Sequence, residues 1–153
     1  MSFAAVRPDS WNFPLLLHVL GAMVLVGGLV ATAGTLALAG GDTRLLRLGY
    51  QSLLAIALPG WILMRVAAEW IYTKEGWDDL PSGVDDPGWL NLGFIIGDTG
   101  GLILFVSLIV GGIGTHRLRE GRGAGLVRAT LILSVVLLAA YLVAIWAMSG
   151  KPN

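Results

Sequence analysis

Five polar residues interrupt long apolar runs in this chain, and their types suit proton or cation chemistry. They are His18, Arg65, Glu69, Asp98 and Tyr141. Carboxylates hold protons and cations, and imidazole is the side chain that changes charge nearest neutral pH. A charged group at the centre of a membrane helix costs about 2.5–3.5 kcal/mol, so it needs a partner or a function there. These five residues form the candidate intramembrane polar site.

Arg65 and Asp98 are the natural ion pair of this set. Glu69 follows Arg65 by one helical turn and shares its charge. One positive charge then faces two negative charges, and a protonated His18, a protonated carboxyl group or a bound cation would balance the difference. The alternative is structural: Arg65 and Asp98 fix the helix register, Glu69 is solvated at the headgroup level, and His18 donates to a carbonyl.

Four apolar segments are long enough to carry these residues across a bilayer. A membrane helix needs about 20 apolar residues, and the segments cover residues 15–39, 45–72, 89–115 and 126–149. Helices are the expected spanning form, because backbone groups in lipid must be satisfied within the segment. The sequence therefore predicts an all-α membrane protein, with residues 1–153 forming a single transmembrane domain and a four-helix bundle.

The composition agrees with this fold class and excludes others. Hydrophobic residues make up 56% of the chain and charged residues 13%, against roughly 25% charged residues in soluble domains. Net charge is zero, so nothing attracts nucleic acid. Without Cys there is no thiolate metal site or cysteine nucleophile. Ser-His-Asp and zincin spacings are missing, which argues against an enzyme.

The distribution of Lys and Arg predicts which side each loop faces. The first and third loops carry six basic residues: Arg44, Arg47, Arg117, Arg119, Arg122 and Arg128. The other side carries three: Arg7, Lys74 and Lys151. Basic loops stay in the cytoplasm, so both termini are predicted to lie outside (N-out, C-out). At a 1.5 Å rise per residue, the five site residues then lie roughly 5–12 Å from the outer interface.

Small residues predict where the helices approach one another. In the first span, Gly21 and Gly28 share one face. In the third span, glycine recurs at every fourth position: Gly93, Gly97 and Gly101. Since small residues let backbones approach closely, the first and third spans are predicted to make the closest contact, within one chain or in a homo-oligomer. Pro59 lacks a backbone donor and predicts a kink in the second span.

Heptad lines predict which side of each helix faces the bundle interior. Asn91 and Asp98 share one line on the third span, and Ser134 and Tyr141 share one on the fourth. Polar groups on a common line indicate one inward face per helix.

Part of the chain resembles a known superfamily. Residues 17–22, with the sequence LHVLGA, followed by Gly27-Gly28, resemble the first helix of a bacterial superfamily of small integral membrane proteins. It groups copper-resistance-D-like proteins with uncharacterised four-helix proteins. Pro59-Gly60 and the segment 87–89 also resemble its pattern. The resemblance implies four membrane helices, the bacterial cytoplasmic (inner) membrane and haem or copper as a cofactor, with His18 as the ligand that can be carried over by position.

Three functions follow as hypotheses. The first is a membrane transport or channel-type protein in which Asp98 and Glu69 bind a cation or proton, Arg65 tunes them and His18 responds to pH. The second is a haem- or copper-binding redox or delivery protein with His18 as a ligand. The third is a structural subunit of a larger membrane complex that uses the glycine faces. Four short helices make only a small pathway, so a transporter is expected to form a homo-oligomer.

Overall fold

A computed structural model describes residues 9–79 and 87–150 of the chain, and every regular element in these ranges is helical. The main helices are α1 (Asp9–Leu38), α2 (Thr43–Ser52), α3 (Leu58–Lys74), α4 (Gly88–Arg117) and α5 (Ala124–Gly150). A π-helical segment, Leu53–Ala57, joins α2 to α3. Short 3₁₀ turns, Trp77–Asp79 and Leu118–Glu120, follow α3 and α4.

Four stretches of helix are long and apolar enough to cross a membrane, which confirms the predicted four-helix architecture. They are Asn12–Leu38, Thr43–Lys74, Gly88–Glu120 and Ala124–Gly150. In each, only 22% to 33% of the most apolar window is buried inside the bundle. Most apolar side chains therefore face outward. Such a surface is favourable in contact with lipid and unfavourable in contact with water. The chain is a multi-pass membrane protein, and its first helix begins at Asp9 rather than near residue 15.

The helices pack unevenly around the bundle. Helix α1 packs most extensively against α3, and α4 against α5, while α1 also contacts α5. By contrast, the seam between α3 and α4 has few close backbone approaches. The main core cluster draws buried residues from all four spans: Leu25, Leu29, Leu53, Ala57, Met64, Leu104, Leu108, Leu137 and Tyr141. This layer adjoins the candidate site, because Tyr141 belongs to both and Met64 precedes Arg65 in α3.

The closest helix contact is between the first and second spans, so the prediction that the first and third spans approach most closely is wrong within one chain. Contact between those two spans in a homo-oligomer stays a prediction. A Cβ atom on Gly21 would lie 2.8 Å from the Met64 Cα atom, and one on Gly28 would lie 2.8 Å from the Ala57 Cα atom. Gly60 faces the α1 backbone in the same way at Leu25. Small residues on both helices thus let the two backbones approach closely, as expected for membrane helices. The partner of the first span is the second span and not the third.

The second span changes its hydrogen-bond register just before Pro59. The Leu58 N–H group donates to the Leu53 carbonyl, five residues back, and the π-helical segment ends there. Pro59 then occupies one of the first positions of α3. A proline ring clashes with the carbonyl four residues before it and donates no hydrogen bond, so a register change at this point accommodates it. The kink itself stays a prediction.

The first turn of the bundle depends on two glycines. Gly40 and Gly41 have φ angles of 52° and 95°, a region that residues with a Cβ atom seldom adopt. Asp42 then caps the N-terminus of α2, and its carboxylate accepts a hydrogen bond from the Arg44 N–H group at 2.8 Å. The basic side chains predicted to be cytoplasmic are exposed around this turn and the α4–α5 turn. Arg7 and Lys151 lie outside the described residues, and the orientation of the chain in the membrane stays a prediction.

Candidate functional site

A small cavity lies where all four spans meet, towards the end of the bundle at which α3 ends and α4 begins. Its volume is about 60 Å³. His18 of α1, Arg65 of α3, Gly97 of α4 and Tyr141 of α5 line it. Three of the five predicted site residues thus meet at one cavity, and Arg65 links it to the other two, Glu69 and Asp98.

His18 is anchored to the second span by one ring nitrogen. Its Nδ1 atom lies 3.0 Å from the Met64 carbonyl oxygen. A carbonyl only accepts hydrogen bonds, so Nδ1 carries the proton in this contact and Nε2 is left for another partner. The structure therefore contains the bond to a carbonyl that the structural alternative requires. A histidine fixed through Nδ1 is also the arrangement in which Nε2 serves as a metal ligand.

Arg65 is the centre of the charged group. Its Nε–H donates to Asp98 Oδ1 at 2.7 Å. Nη1 forms an ion pair with Glu69 Oε1, which is an electrostatic contact rather than a well-directed hydrogen bond. The guanidinium carbon also lies 4.9 Å from the centroid of the Phe94 ring, within cation–π range. One cation is thus shared by two carboxylates, as the sequence pattern suggests.

The two carboxylates face out of the bundle rather than into it. The side chain of Asp98 is 59% exposed and that of Glu69 is 53% exposed, while Arg65 between them is 21% exposed. Asn91, on the same heptad line as Asp98, is exposed as well. The prediction of one inward face per helix is therefore wrong for α4. It holds for α5, where both Ser134 and Tyr141 are buried.

Tyr141 has an unusual position for a polar side chain. It is 3% exposed, and its hydroxyl packs against the surface that Gly100 leaves open. The hydroxyl finds no hydrogen-bond partner among the described residues. Burying a hydroxyl group that makes no hydrogen bond costs free energy. The ring forms part of the cavity wall and of the hydrophobic core, which is a packing role.

Sequence reasoning missed Trp61, which joins α3 to α4. Its Nε1–H donates to the Gly97 carbonyl oxygen at 3.0 Å. The indole also meets the Phe105 ring edge to face, with centroids 5.6 Å apart. Tryptophan is common at the membrane interface, so the position of Trp61 in the middle of a span could have indicated that it bridges two helices.

The third-span glycines receive side chains rather than another backbone. Met148 packs against Gly93, and the Trp61 ring packs against Gly101. A Cβ atom on Gly97 would lie 4.0 Å from the Arg65 Cδ atom, at ordinary van der Waals distance. These glycines make room for the large side chains that bridge the spans.

The cavity has little room for a haem, but its lining includes side chains of types that bind a metal ion. In residues 9–79 and 87–150, no three His, Cys, Asp or Glu side chains are grouped to hold a metal. However, Met64 and Met148 line the cavity together with His18. Thioether and imidazole ligands suit Cu(I). A volume of about 60 Å³ is far below the roughly 300 Å³ of a small-molecule pocket, so a haem does not fit between the helices as packed.

No protein-family model, curated protein or solved structure matches this chain. The resemblance to copper-resistance-D-like proteins stays a prediction.

Proposed function

We propose that the chain is a membrane transport protein whose outer-half polar site binds a proton or a cation. The observation that carries this proposal is the arrangement around Arg65, which contacts both Asp98 and Glu69. One positive charge cannot neutralise two carboxylates. The excess negative charge is offset when the site takes up a proton or a cation from the outer side.

The depth of these residues determines how much free energy the excess negative charge costs. Helix α4 has 30 residues, so it is about 45 Å long and matches a whole bilayer with its headgroups. Asp98 is ten residues from the start of α4 at Gly88, or about 15 Å. The interfacial layer takes up only about 7 Å at each side. Asp98 therefore lies within the hydrocarbon layer, where an unbalanced charge is costly.

Arg65 matches this depth and Glu69 does not. Arg65 precedes the end of α3 at Lys74 by nine residues and Glu69 precedes it by five, which correspond to about 14 Å and 8 Å. Glu69 thus lies near the headgroup boundary and Asp98 lies deeper, with Arg65 in contact with both. Such a series of carboxylates is suited to moving a proton or cation between the interface and the interior.

The test is ion flux through purified protein reconstituted in liposomes, with dyes that report internal pH and monovalent cations. Asp98→Asn removes the deep charge and is expected to abolish flux while the protein stays folded. Asp42→Asn is the matched control, because Asp42 is exposed at the N-terminus of α2 and asparagine caps a helix equally well. Wild-type flux in Asp98→Asn would contradict the proposal.

A second pair of variants tests the outer carboxylate with closely matched exposure. Glu69 is 53% exposed and Glu120, in the α4–α5 turn, is 54% exposed. Glu69→Gln is expected to reduce flux, since it removes one of the two carboxylates from Arg65. Glu120→Gln makes the same chemical change outside the site and is expected to leave flux unchanged. Equal flux in both variants would remove Glu69 from the site.

We also propose a second candidate function, a copper-binding redox or delivery protein of the bacterial cytoplasmic membrane. It is favoured by one observation: the Met64 contact leaves the Nε2 atom of His18 for a ligand, in a cavity that Met148 also lines. Cu(I) titration under reducing conditions tests it. His18→Ala is expected to lose binding and His116→Ala to keep it, because His116 is exposed at the far end of α4. Equal Cu(I) affinity in both variants would exclude this site.

A further inference from the structure

The outward surface of α4 around Asp98 combines a carboxylate with apolar side chains. We call it the Asp98 face and define it by Phe94, Ile95, Asp98 and Leu102. Ile95 precedes Asp98 by three residues and Leu102 follows it by four, so the helical spacing places both beside it. They are 61% and 66% exposed, and the Asp98 side chain is 59% exposed. A carboxylate thus lies in the middle of an apolar surface.

Arg65 leaves part of the negative charge on this face unbalanced. Its Nε–H donates to one oxygen of Asp98, Oδ1, yet more than half of the Asp98 side chain still faces outward. The same guanidinium also forms an ion pair with Glu69. One positive charge is therefore divided between two carboxylates, and the group keeps a net negative charge. Such a surface is complementary to a cation.

The depth of Asp98 limits which cations suit it. Asp98 is ten residues from the start of α4, or about 15 Å, which is below the interfacial layer. An inorganic cation at this depth must exchange its water shell for several oxygen ligands. Across residues 9–79 and 87–150, no three His, Cys, Asp or Glu side chains are grouped to provide them. An organic cation whose charge is surrounded by apolar groups needs no such ligands.

The packing of the helices gives such a cation a direct way in. Asp98 is exposed on the outside of the bundle, and the seam between α3 and α4 has few close backbone approaches. A cation dissolved in the hydrocarbon layer therefore reaches the carboxylate sideways, without an aqueous channel between the helices. Phe94, one helical turn before Asp98, adds an aromatic ring, and aromatic rings attract cations.

We propose that the Asp98 face binds a lipophilic organic cation, with one positive charge surrounded by apolar or aromatic groups, which enters from the bilayer. The Asp98 carboxylate attracts the charge, and the apolar groups of the cation stay in contact with Ile95, Leu102 and lipid. This class of cation is the substrate that we assign to the proposed transport site. Transport of the cation rests on the proposed function, whereas its binding does not.

Equilibrium dialysis of the full chain in lipid nanodiscs tests the binding. The probes are radiolabelled tetraphenylphosphonium and tetramethylammonium, which carry the same charge and differ in apolar surface. Nanodiscs without protein measure partition into the lipid. Asp98→Asn removes the charge, and Asp42→Asn makes the same chemical change at an exposed helix cap outside the face. Circular dichroism checks that each variant is folded.

The expected result is saturable tetraphenylphosphonium binding to the wild type and to Asp42→Asn. Binding to Asp98→Asn should be weaker by about tenfold or more, because the attraction between opposite charges is lost. Tetramethylammonium should show no saturable binding to the wild type. This comparison of two cations on the wild type decides the question even if Asp98→Asn does not fold.

Three results would each overturn the inference. They are equal tetraphenylphosphonium binding to the wild type and to folded Asp98→Asn, equal binding of the two cations to the wild type, and no saturable tetraphenylphosphonium binding to the wild type. The last result would leave the Asp98 face to lipid or to another helix. Ion flux without tetraphenylphosphonium binding would sink this inference alone, and binding without flux of any cation would sink the proposed function alone.

Discussion

Two neighbouring glycines on α1 offer a strict test of how the bundle is packed. Gly28 faces the second span, and a Cβ atom there would lie 2.8 Å from the Ala57 Cα atom and 3.0 Å from its Cβ atom. These atoms are part of, or bonded directly to, the backbone of the π-helical segment, so they cannot rotate away. Gly27 faces outward and a Cβ atom there meets nothing within 4 Å. Gly28→Ala therefore forces the two helices apart, and Gly27→Ala does not.

The expected cost follows from the packing. Insertion of a methyl group into a tightly packed contact typically costs about 1–3 kcal/mol. Gly27→Ala is expected to be neutral or to stabilise by up to about 1 kcal/mol, because alanine favours a helix over glycine. Since Gly28→Ala gains the same helix propensity, the two variants should differ by the steric cost alone, about 1–3 kcal/mol in the free energy of unfolding. Thermal unfolding in mild detergent, followed by helical circular dichroism, measures the difference as several degrees in Tm.

A result in which Gly27→Ala and Gly28→Ala have the same Tm would refute this packing. Gly97→Ala provides a further check on the third span. Its Cβ atom would lie 4.0 Å from the Arg65 side chain, so it should be tolerated, although both Gly28 and Gly97 are buried glycines of membrane spans.

Two further outcomes are expected. Asp79→Cys should react with a membrane-impermeant maleimide added outside the cell, and Arg119→Cys should react only after the membrane is opened. The reason is that the basic loops are predicted to be cytoplasmic. The reverse labelling pattern would show that the topology is inverted. Trp61→Phe should lower stability by about 0.6 kcal/mol through loss of its bond to the Gly97 carbonyl. Trp146→Phe, at a 65% exposed position, should have little effect on stability. Equal losses of stability in the two variants would show that the smaller ring, and not the lost hydrogen bond, causes the effect.

The number of spans and their approximate positions were predictable because lipid imposes one simple rule. Each crossing needs about 20 apolar residues with satisfied backbone groups, and this leaves a long continuous signal in the sequence. The ion pair between Arg65 and Asp98 was predictable for a related reason: a charge at that depth needs a partner, and few opposite charges are available. Both predictions follow from local composition and depth.

The choice of neighbouring helices was not predictable in the same way. Gly21 and Gly28 show that α1 approaches another backbone, but they do not say which one, since glycine faces occur on more than one span. The outward position of Asp98 escaped prediction because a heptad line shows which residues share a face and not where that face points. Trp61 was missed because tryptophan in a membrane helix is usually found at the interface.

The most direct test of the proposed site is infrared difference spectroscopy of the carboxyl groups in reconstituted protein. Spectra of the wild type and of Asp98→Asn are recorded as external pH or monovalent cation concentration is changed, and their difference isolates Asp98. The expected result is a carboxyl signal that changes with proton or cation concentration in the wild type and is absent from Asp98→Asn. If the carboxyl signals of the two proteins respond identically throughout, then Asp98 binds neither a proton nor a cation, and the proposed site is contradicted.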